Sequence, residues 1–337
     1  MWAVPGRCTS WKCRRWVQQA GHGELLRAML GPNVRAAGLF LQYDIGLSTR
    51  KVARALAGLA AFAFAPASLV RFAQEAARKA KPLAHDVAEK LRACEAVHAD
   101  ETYYRINGQS AYVWFHGNEA LAHFHVCQTR SGQVSRKLLG EDYQGGLVTD
   151  CYAGYDRHRT PLKQKCLAHV KRTAVDWEKL VPPTAKDSRA FFEAVRQWVQ
   201  RACRWHRTRK RPPNATRERE ANWRREELDR LELMPTDSAR AARLQKRLRR
   251  YHREWLTFLE HPAIAPTNNC AEQALRALVI LRKLTFGSRT RAGARRLGVM
   301  LTVIETAKRQ GQRVLPLLVT LLTHPPNRAL RAMYGRP

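Results

Sequence analysis

Short runs of β-branched and aromatic residues, separated by tight-turn pairs, limit most strongly what this chain can fold into. These runs occupy positions 97–106, 111–116, 121–129 and 147–150. The pairs between them are Asn107-Gly108, Gly117-Asn118 and Gly145-Gly146. Residues 131–139 have helical spacing, so the order is three antiparallel strands, a helix and a further strand. This order predicts a mixed α/β sheet.

Helical spacing precedes the predicted sheet. Residues 24–80 have the pattern of successive helices, with Ser48 as the cap of one helix and Pro66 at the start of another. Two interpretations stand side by side. The segment 68–79 either enters a DNA groove as part of a helix-turn-helix, or belongs to two packed helices with solvated cations. Under the first interpretation, three basic residues contact DNA, namely Arg71, Arg78 and Lys79.

A long basic block with helical spacing follows the sheet region. The pair Pro182-Pro183 ends the preceding helix pattern, and residues 186–260 are polar and helical in pattern. Eleven of the thirty residues at 196–225 are Lys or Arg. Three tryptophans lie among these cations, namely Trp198, Trp205 and Trp223. Such residues suit base stacking or core packing, and we favour core packing because large aromatic side chains are mostly buried.

The charge of the whole chain predicts a polyanionic partner. Its 60 Lys and Arg against 28 Asp and Glu give a formal net charge of +32. Neutralisation of phosphates by such cations supplies most of the sequence-independent affinity for DNA, so nucleic acid is the leading partner. Ribosomal association and membrane-surface binding are the weaker alternatives. The most apolar run, 55–67, is too short to span a bilayer, so no transmembrane helix is expected.

The cysteines indicate a reducing compartment. Eight are scattered through the chain without a secretory signal, so we expect free thiols and a cytoplasmic protein. Cys8 and Cys13, followed by His22, resemble the remnant of a zinc site. No complete set of four closely spaced ligands surrounds them, so zinc is not expected there.

Two aspartates stand at positions that suit a metal site. Asp100 lies inside the first predicted strand, where period-two alternation turns it to the same face as His98 and Thr102. Glu101 then points to the opposite face. Asp150 ends the fourth predicted strand. Either aspartate alone would be interpreted as a cap or turn residue, but the two together can converge on Mg²⁺, which prefers carboxylate ligands. A pair of such ions about 4 Å apart supports in-line phosphoryl displacement.

A third carboxylate is expected on a helix, and two residues compete for the role. Glu272 lies near a helix start and shares one helical face with Arg276 and Lys283, which would suit contact with DNA phosphates. An ordinary Glu-Arg pair within the helix would explain the same spacing. Glu305 is the rival third acid.

Four motifs in order make the sequence resemble the insertion sequence 66 family of bacterial transposases. They are HADET at 98–102, TDCYAGY at 149–155, CLAHVKR at 166–172, and NNCAE at 268–272 followed by Arg282-Lys283. The similarity spans about residues 30–323. It implies a ribonuclease H-like fold and an Asp-Asp-Glu triad of Asp100, Asp150 and Glu272. These acids would hold Mg²⁺ or Mn²⁺, as two ions, and the enzyme would cut and join DNA ends in the bacterial nucleoid.

The resemblance also assigns supporting residues. Cys166 and His169 match a Cys-x-x-His signature found where related transposases leave the core for a helical insertion. Because two ligands do not make a tetrahedral zinc site, we favour a structural role, with His169 bonding a carboxylate or phosphate. The same structural role is expected of Asn268 and Asn269. Further DNA-contacting cations are expected beside the motifs, namely Lys171, Arg172, Arg276, Arg282 and Lys283.

The predicted fold is α/β, with a ribonuclease H-like mixed sheet core, a long basic helical insertion and an N-terminal all-α region. The predicted parts are an N-terminal segment, truncated or disordered (1–30), a helical DNA-binding region (31–90), the first part of the core (91–181), the basic insertion (182–262), the helical completion with the third acid (263–323) and a tail (324–337).

Two departures from the family bear on activity. Family members usually have a longer, cysteine-rich zinc module at the N-terminus, and Gln273 replaces the arginine common after the motif glutamate. The alternatives to a transposase are therefore a catalytically silent DNA-binding remnant or regulator, and a nuclease that hydrolyses without joining. Transposition holds two DNA ends together, so a dimer or larger complex on DNA is expected, together with accessory proteins of the same element.

Overall fold

The computed structural model describes residues 5–7, 16–18, 30–60, 64–207 and 215–335. The strands are β1 (Pro5–Arg7), β2 (Trp16–Gln18), β3 (Ala96–Ile106), β4 (Gln109–Gly117), β5 (Ala122–Cys127), β6 (Gly146–Thr149) and β7 (Leu162–Lys165). The α-helices are α1 (Pro32–Tyr43), α2 (Thr49–Ala60), α3 (Pro66–Arg92), α4 (Gln133–Leu139), α5 (Leu167–Glu178), α6 (Lys186–Arg207), α7 (Ala215–Leu233), α8 (Ala239–Arg250), α9 (Asn269–Thr285), α10 (Arg291–Arg309), α11 (Val314–Thr323) and α12 (Pro326–Met333).

A five-stranded mixed sheet in the order β5-β4-β3-β6-β7 lies at the centre of the fold. Strand β4 is antiparallel to both β3 and β5, whereas β3, β6 and β7 are parallel to one another. The turn at Asn107-Gly108 joins β3 to β4, and both of its residues have positive φ, as a tight hairpin requires. The predicted mixed α/β sheet is confirmed. Strands β1 and β2 pair separately with each other.

Helix α10 protects the edge of the sheet at β5. The hydroxyls of Thr302 and Thr306 accept hydrogen bonds from the backbone N–H groups of Phe124 and Ala122, at 2.9 and 3.2 Å. At Gly298 a Cβ atom would lie 2.8 Å from the Phe124 carbonyl oxygen, so only glycine permits this approach. An edge strand without such cover would offer its backbone to other chains.

The helices that surround the sheet belong to one large hydrophobic core. Strands β3 to β5 share this core with α1, α2, α3, α9, α10, α11 and α12. The segment 324–337, predicted to be a tail, contains α12, in which Ala329 and Met333 are fully buried. Arg328 and Arg331 lie between the apolar residues of this short helix, so the sequence pattern did not indicate it.

A second hydrophobic core joins the helices α5 to α8 and the segment after α8 to Ala96 of β3 and Val148 of β6. Trp198 is fully buried and Trp205 is 8% exposed, so the predicted core packing is confirmed for these two tryptophans. Trp223 is 56% exposed and does not pack in this way. The basic surface of this helical unit therefore encloses aromatic side chains that pack in a core shared with the sheet.

Strand β7 is polar, so the sequence pattern did not predict it. Lys165, at 1% exposure, is buried with its ammonium 3.2 Å from an Asp156 carboxylate oxygen and 3.6 Å from one of Glu254. The buried Gln164 amide donates to the backbone carbonyl of Trp255 at 2.8 Å. Buried charges require such partners, and two of them, Glu254 and Trp255, are distant in the sequence.

The predicted helices before the sheet are present as α1, α2 and α3. Arg71 and Arg78 are exposed on α3, while the ammonium of Lys79 donates to the Leu322 carbonyl at the end of α11. A DNA contact by these residues stays a prediction. The residues of the suggested zinc remnant, Cys8, Cys13 and His22, lie outside the described residues. Across the described part of the chain, no helix has the length and apolar character needed to cross a membrane.

Candidate active site

Asp100 and Asp150 are brought side by side by the register of two parallel strands. The pairs between β3 and β6 are Ala96 with Gly146, Val97 with Leu147 and His98 with Val148. Each pair differs by 50 positions, and two residues further on the same offset aligns Asp100 with Asp150. Strand β6 ends at Thr149, whereas β3 continues to Ile106. Both carboxylates therefore lie where the sheet opens beside the central strand.

Each aspartate is fixed by a backbone N–H group next to it. One oxygen of Asp100 accepts from the Glu101 N–H at 2.8 Å, and one oxygen of Asp150 accepts from the Tyr152 N–H at 2.8 Å. The second oxygen of each carboxylate has no hydrogen-bond partner assigned among the described residues. This arrangement orients the carboxylates while leaving ligand capacity for a cation.

The electrostatics of Asp100 also favour a cation. Burial, followed by the negative charge of Asp150, raises the pKa of Asp100 from 3.8 to about 7. The charges of Glu101 and Glu272 act in the same direction, and the Glu101 N–H opposes them. Two neighbouring acidic groups can both stay ionised at low cost only when positive charge lies between them.

We expect Mg²⁺ binding to depend on pH around this pKa. Below about 7 the Asp100 carboxyl holds a proton that Mg²⁺ must displace, so the apparent affinity should rise by up to about tenfold per pH unit and level off above it. The same proton on Asp100 also affects the folding stability of the metal-free protein. Because the folded state binds this proton more tightly than the unfolded state does, the free energy of unfolding should fall as the pH rises from 3.8 towards about 7. Calorimetric titration with Mg²⁺ in buffers of different ionisation enthalpy measures the released proton. An affinity and proton release that do not vary between pH 5 and 8 would contradict the prediction.

Glu101, on the opposite face of β3 from Asp100, connects two segments next to the site. Its side chain is 2% exposed, accepts a hydrogen bond from the Tyr155 hydroxyl at 2.7 Å and pairs with Arg130 at 2.8 Å. Burial raises the pKa of Glu101, and the Tyr155 and Arg130 hydrogen bonds oppose this. The Arg130 guanidinium also stacks on the Tyr152 ring at 4.3 Å. Glu101 thus joins the loop after β5 to the turn after Asp150, a role that the alternation of β3 alone did not reveal.

Glu272 lies in the first turn of α9, and its carboxylate is turned towards α5. One oxygen is 3.5 Å from His169 Nδ1, and the other is 3.5 Å from an Arg172 guanidinium nitrogen. Its charge contributes to the raised pKa of Asp100. Glu305, the rival third acid, pairs instead with Lys308 at 3.0 Å.

Glu272 therefore lies beside a sulfur and a nitrogen ligand. The ligand atoms of Cys166, His169 and Glu272 all lie within 4.8 Å of one another. Among the described residues, Asp100, Asp150 and Glu272 do not form such a group.

Asn268 fastens the start of α9 to the central strand. This fully buried side chain donates to the Ala99 carbonyl at 2.9 Å, and its oxygen lies 3.0 Å from His98 Nδ1. Its backbone N–H donates to Cys166 Sγ at 3.1 Å. Its carbonyl accepts from the Glu272 N–H at 3.1 Å. One residue thus connects the neighbours of Asp100 with both the Cys-x-x-His segment and Glu272.

Comparison with known proteins assigns the chain to a family. A family model described as "Transposase IS66 family" matches residues 27–296, which include the carboxylates and the Cys-x-x-His pair. The chain belongs to the IS66 family of transposases. No curated protein matches this IS66 family transposase. Membership of this family supports a transposase that binds DNA. The family is of the Asp-Asp-Glu (DDE) class, which implies the use of divalent metal ions.

The carboxylates of this IS66 family transposase fit such an ion. Asp100 and Asp150 offer hard oxygen ligands, and the charge of Asp150 adds to burial in raising the pKa of Asp100. Glu272 would have to turn away from His169 to join them.

Exposed cations surround the site in the IS66 family transposase. The predicted DNA-contacting residues on α5 and α9 that are exposed are Lys171, Arg172, Arg276 and Lys283. Arg282 is partly buried and donates to the Tyr103 carbonyl of β3. A role in DNA contact remains a prediction for all five.

Replacement of Asn268 should destabilise the IS66 family transposase by about 2 to 4 kcal/mol, because Asn268→Ala leaves the His98 ring nitrogen and the Ala99 carbonyl buried without partners. Asn269→Ala is the matched control, since Asn269 is exposed and begins the same helix. Its effect should stay within about 0.5 kcal/mol. Urea unfolding at neutral pH compares the two, and equal stabilities would show that the buried contacts contribute nothing.

Proposed function

We propose that this IS66 family transposase is an active DNA strand transferase with a ribonuclease H-like core. Asp100, Asp150 and Glu272 would hold two Mg²⁺ or Mn²⁺ ions. The proposal is carried by the parallel register of β3 and β6, which continues by two residues to place Asp100 beside Asp150, and by the effect of the Asp150 charge on the pKa of Asp100. The sheet order, in which only β4 runs antiparallel, supports the ribonuclease H-like assignment.

The proposed reaction proceeds in two displacements at phosphorus. In the first, a water oxygen attacks a phosphodiester at the element end, and the 3′ oxygen leaves as a hydroxyl. In the second, that 3′-hydroxyl attacks a phosphodiester of the target DNA, which joins the two strands and releases a new 3′ end. Bound divalent ions would activate the attacking oxygen and stabilise the leaving oxygen.

The protein residues contribute positioning and charge. The N–H groups of Glu101 and Tyr152 hold the carboxylates of Asp100 and Asp150 and thereby orient the second oxygen of each. The exposed cations of α5 and α9 would neutralise DNA phosphates beside them. Asn268 would keep Glu272 within reach of the aspartates, because it holds α9 against β3.

The wider organisation extends this proposal. We assign residues 31–90 to a helical DNA-binding region and 182–262 to the basic insertion, with the core at 91–181 and 263–323. Because two element ends must be joined in one reaction, we propose a dimer or larger complex on DNA, with accessory proteins of the same element as partners.

The test uses the purified full chain and labelled duplexes that carry the terminal sequences of the element. Mg²⁺ or Mn²⁺ should produce strands cleaved at the element end and then covalently joined to a target duplex, and a chelator should abolish both products. Binding to DNA without metal-dependent cleavage, even with the partner proteins of the element added, would indicate a silent DNA-binding protein. Cleavage that never yields joined strands would indicate a nuclease.

A further inference from the structure

The Cys-x-x-His pair and the motif glutamate form a cluster whose chemistry differs from that of the aspartates. We propose that Cys166, His169 and Glu272 form a Zn²⁺ site, and that an ion bound there holds Glu272 away from Asp100 and Asp150. The second half of this proposal rests on the proposed function, whereas the metal site itself does not.

The local fold brings sulfur and nitrogen ligands together. Cys166 is the N-cap of α5, and His169 follows in the first turn, so both side chains lie near the positive end of that helix. Burial raises the pKa of the Cys166 thiol to about 11, while the N–H groups of Asn268 and His169 oppose this rise. These N–H groups point at the sulfur and would stabilise a thiolate once a metal ion has displaced the proton.

Two buried atoms in the cluster supply an independent observation. His169 Nδ1 and Glu272 Oε1 are buried, and neither has a hydrogen-bond partner among the described residues. They lie 3.5 Å apart, which is too far for a good hydrogen bond. Buried polar atoms almost always have a partner, and an ion is one accepted explanation for an exception.

The separations suit a tetrahedral ion. Zn–N and Zn–O bonds of about 2.1 Å place tetrahedral ligand atoms about 3.4 Å apart, close to the His169 to Glu272 distance. The sulfur lies within 4.8 Å of both other atoms, so small side-chain rotations would complete the set. Three protein ligands leave the fourth position to water.

The donor set selects the class of metal. Thiolate and imidazole favour Zn²⁺ and similar borderline ions, whereas Mg²⁺ takes oxygen ligands. The aspartates and this cluster would therefore bind different ions. Glu272 belongs both to the proposed Asp-Asp-Glu triad and to the cluster. A Zn²⁺ ion would act by retaining Glu272, not by replacing Mg²⁺ between the aspartates.

The binding test uses Co²⁺ as a spectroscopic substitute for Zn²⁺ in the full-length chain. Cys8 and Cys13 are replaced by serine in every sample, so that they contribute no thiolate. One equivalent of Co²⁺ should produce a thiolate-to-cobalt absorption band that Zn²⁺ displaces. The band should disappear in Cys166→Ser, and His169→Ala should weaken Co²⁺ binding by at least about tenfold.

The control is Cys127→Ser, which removes the thiol of β5 that lies on the same face as His125 and should leave the band unchanged. Circular dichroism checks that each variant is folded. A band that survives in Cys166→Ser, or that disappears in Cys127→Ser, would overturn the site, and so would the absence of any thiolate band in the parent chain. If Cys166→Ser does not fold, the affinity of His169→Ala decides in its place, and an unchanged affinity overturns the site.

The functional test is separate. In Mg²⁺, Zn²⁺ at one equivalent should inhibit strand cleavage by the parent chain by at least about tenfold, and Cys166→Ser should remove this inhibition. Equal inhibition of both proteins would overturn the retention of Glu272 while leaving the binding result intact. A chain without any cleavage in Mg²⁺ would count against the proposed function and against this retention, whereas the cobalt band would still decide the metal site.

Discussion

The Asp150→Asn variant should cleave element ends about 10³-fold more slowly than the parent chain while binding the same DNA, because loss of one charged metal ligand removes about 4 kcal/mol of transition-state stabilisation. Asparagine keeps the oxygen that accepts the Tyr152 N–H, so the turn after β6 should retain its geometry. Removing this charge should also lower the pKa of Asp100, which the Asp150 carboxylate raises. Asp100→Asn should lose activity to a similar extent.

Single-turnover cleavage of labelled ends measures the rate, and salt-dependent gel shift measures binding. Asp142→Asn is the matched control, since it removes one carboxylate from an exposed loop between α4 and β6. It should keep the parent rate within about twofold, the change that a few tenths of a kcal/mol produces. If Asp100→Asn and Asp150→Asn both cleave as fast as this control, the two aspartates do not form the active site.

The Trp198→Ala variant should lose about 3 to 5 kcal/mol of stability, the usual cost of emptying a tryptophan-sized volume in a packed core. Trp198 is fully buried in the second core, and its indole N–H donates to the Arg224 carbonyl of α7 at 3.1 Å. The substitution therefore leaves a cavity between α6 and α7 and removes the indole hydrogen bond that joins them.

Trp223→Ala provides the comparison, because this tryptophan lies in the same helical unit and is 56% exposed. Its effect should stay within about 0.5 kcal/mol. Urea unfolding followed by circular dichroism compares the two variants with the parent chain. Equal losses would contradict the packing of α6 against α7, and an unchanged DNA affinity of Trp223→Ala would exclude base stacking by that residue.

The sheet was predictable because its signals are local. Asn-Gly and Gly-Gly pairs, with alternating β-branched residues, indicated β3 to β6 before any contact was known. Strand β7 carried no such signal, since its buried Lys165 is paired with Asp156 in the preceding loop and with Glu254, which is distant in the sequence. Composition describes a residue's own preference and not the partners that a fold supplies.

The site also contains features that local sequence signals predicted and features that they did not. The positions of Asp100 and Asp150 followed from strand order and the motifs, and the register of β3 and β6 is consistent with them. The contacts of Asn268 join segments about 100 and 170 residues apart, so spacing within one motif held no trace of them. The sequence also offered only two ligands at Cys166 and His169, because the third, Glu272, arrives from α9.

The second core has a consequence for how the protein is made. In the sequence, Asp100 and Asp150 precede the helices α5 to α8. Glu272 follows these helices, 122 positions after Asp150. At ribosomal speeds of about 5 to 20 residues per second, roughly 6 to 24 seconds separate the synthesis of these two acids. A nascent chain that already exposes its aspartates and basic surface therefore lacks the final acid of the proposed triad. Translation itself would delay DNA cleavage until the helical unit has left the ribosome.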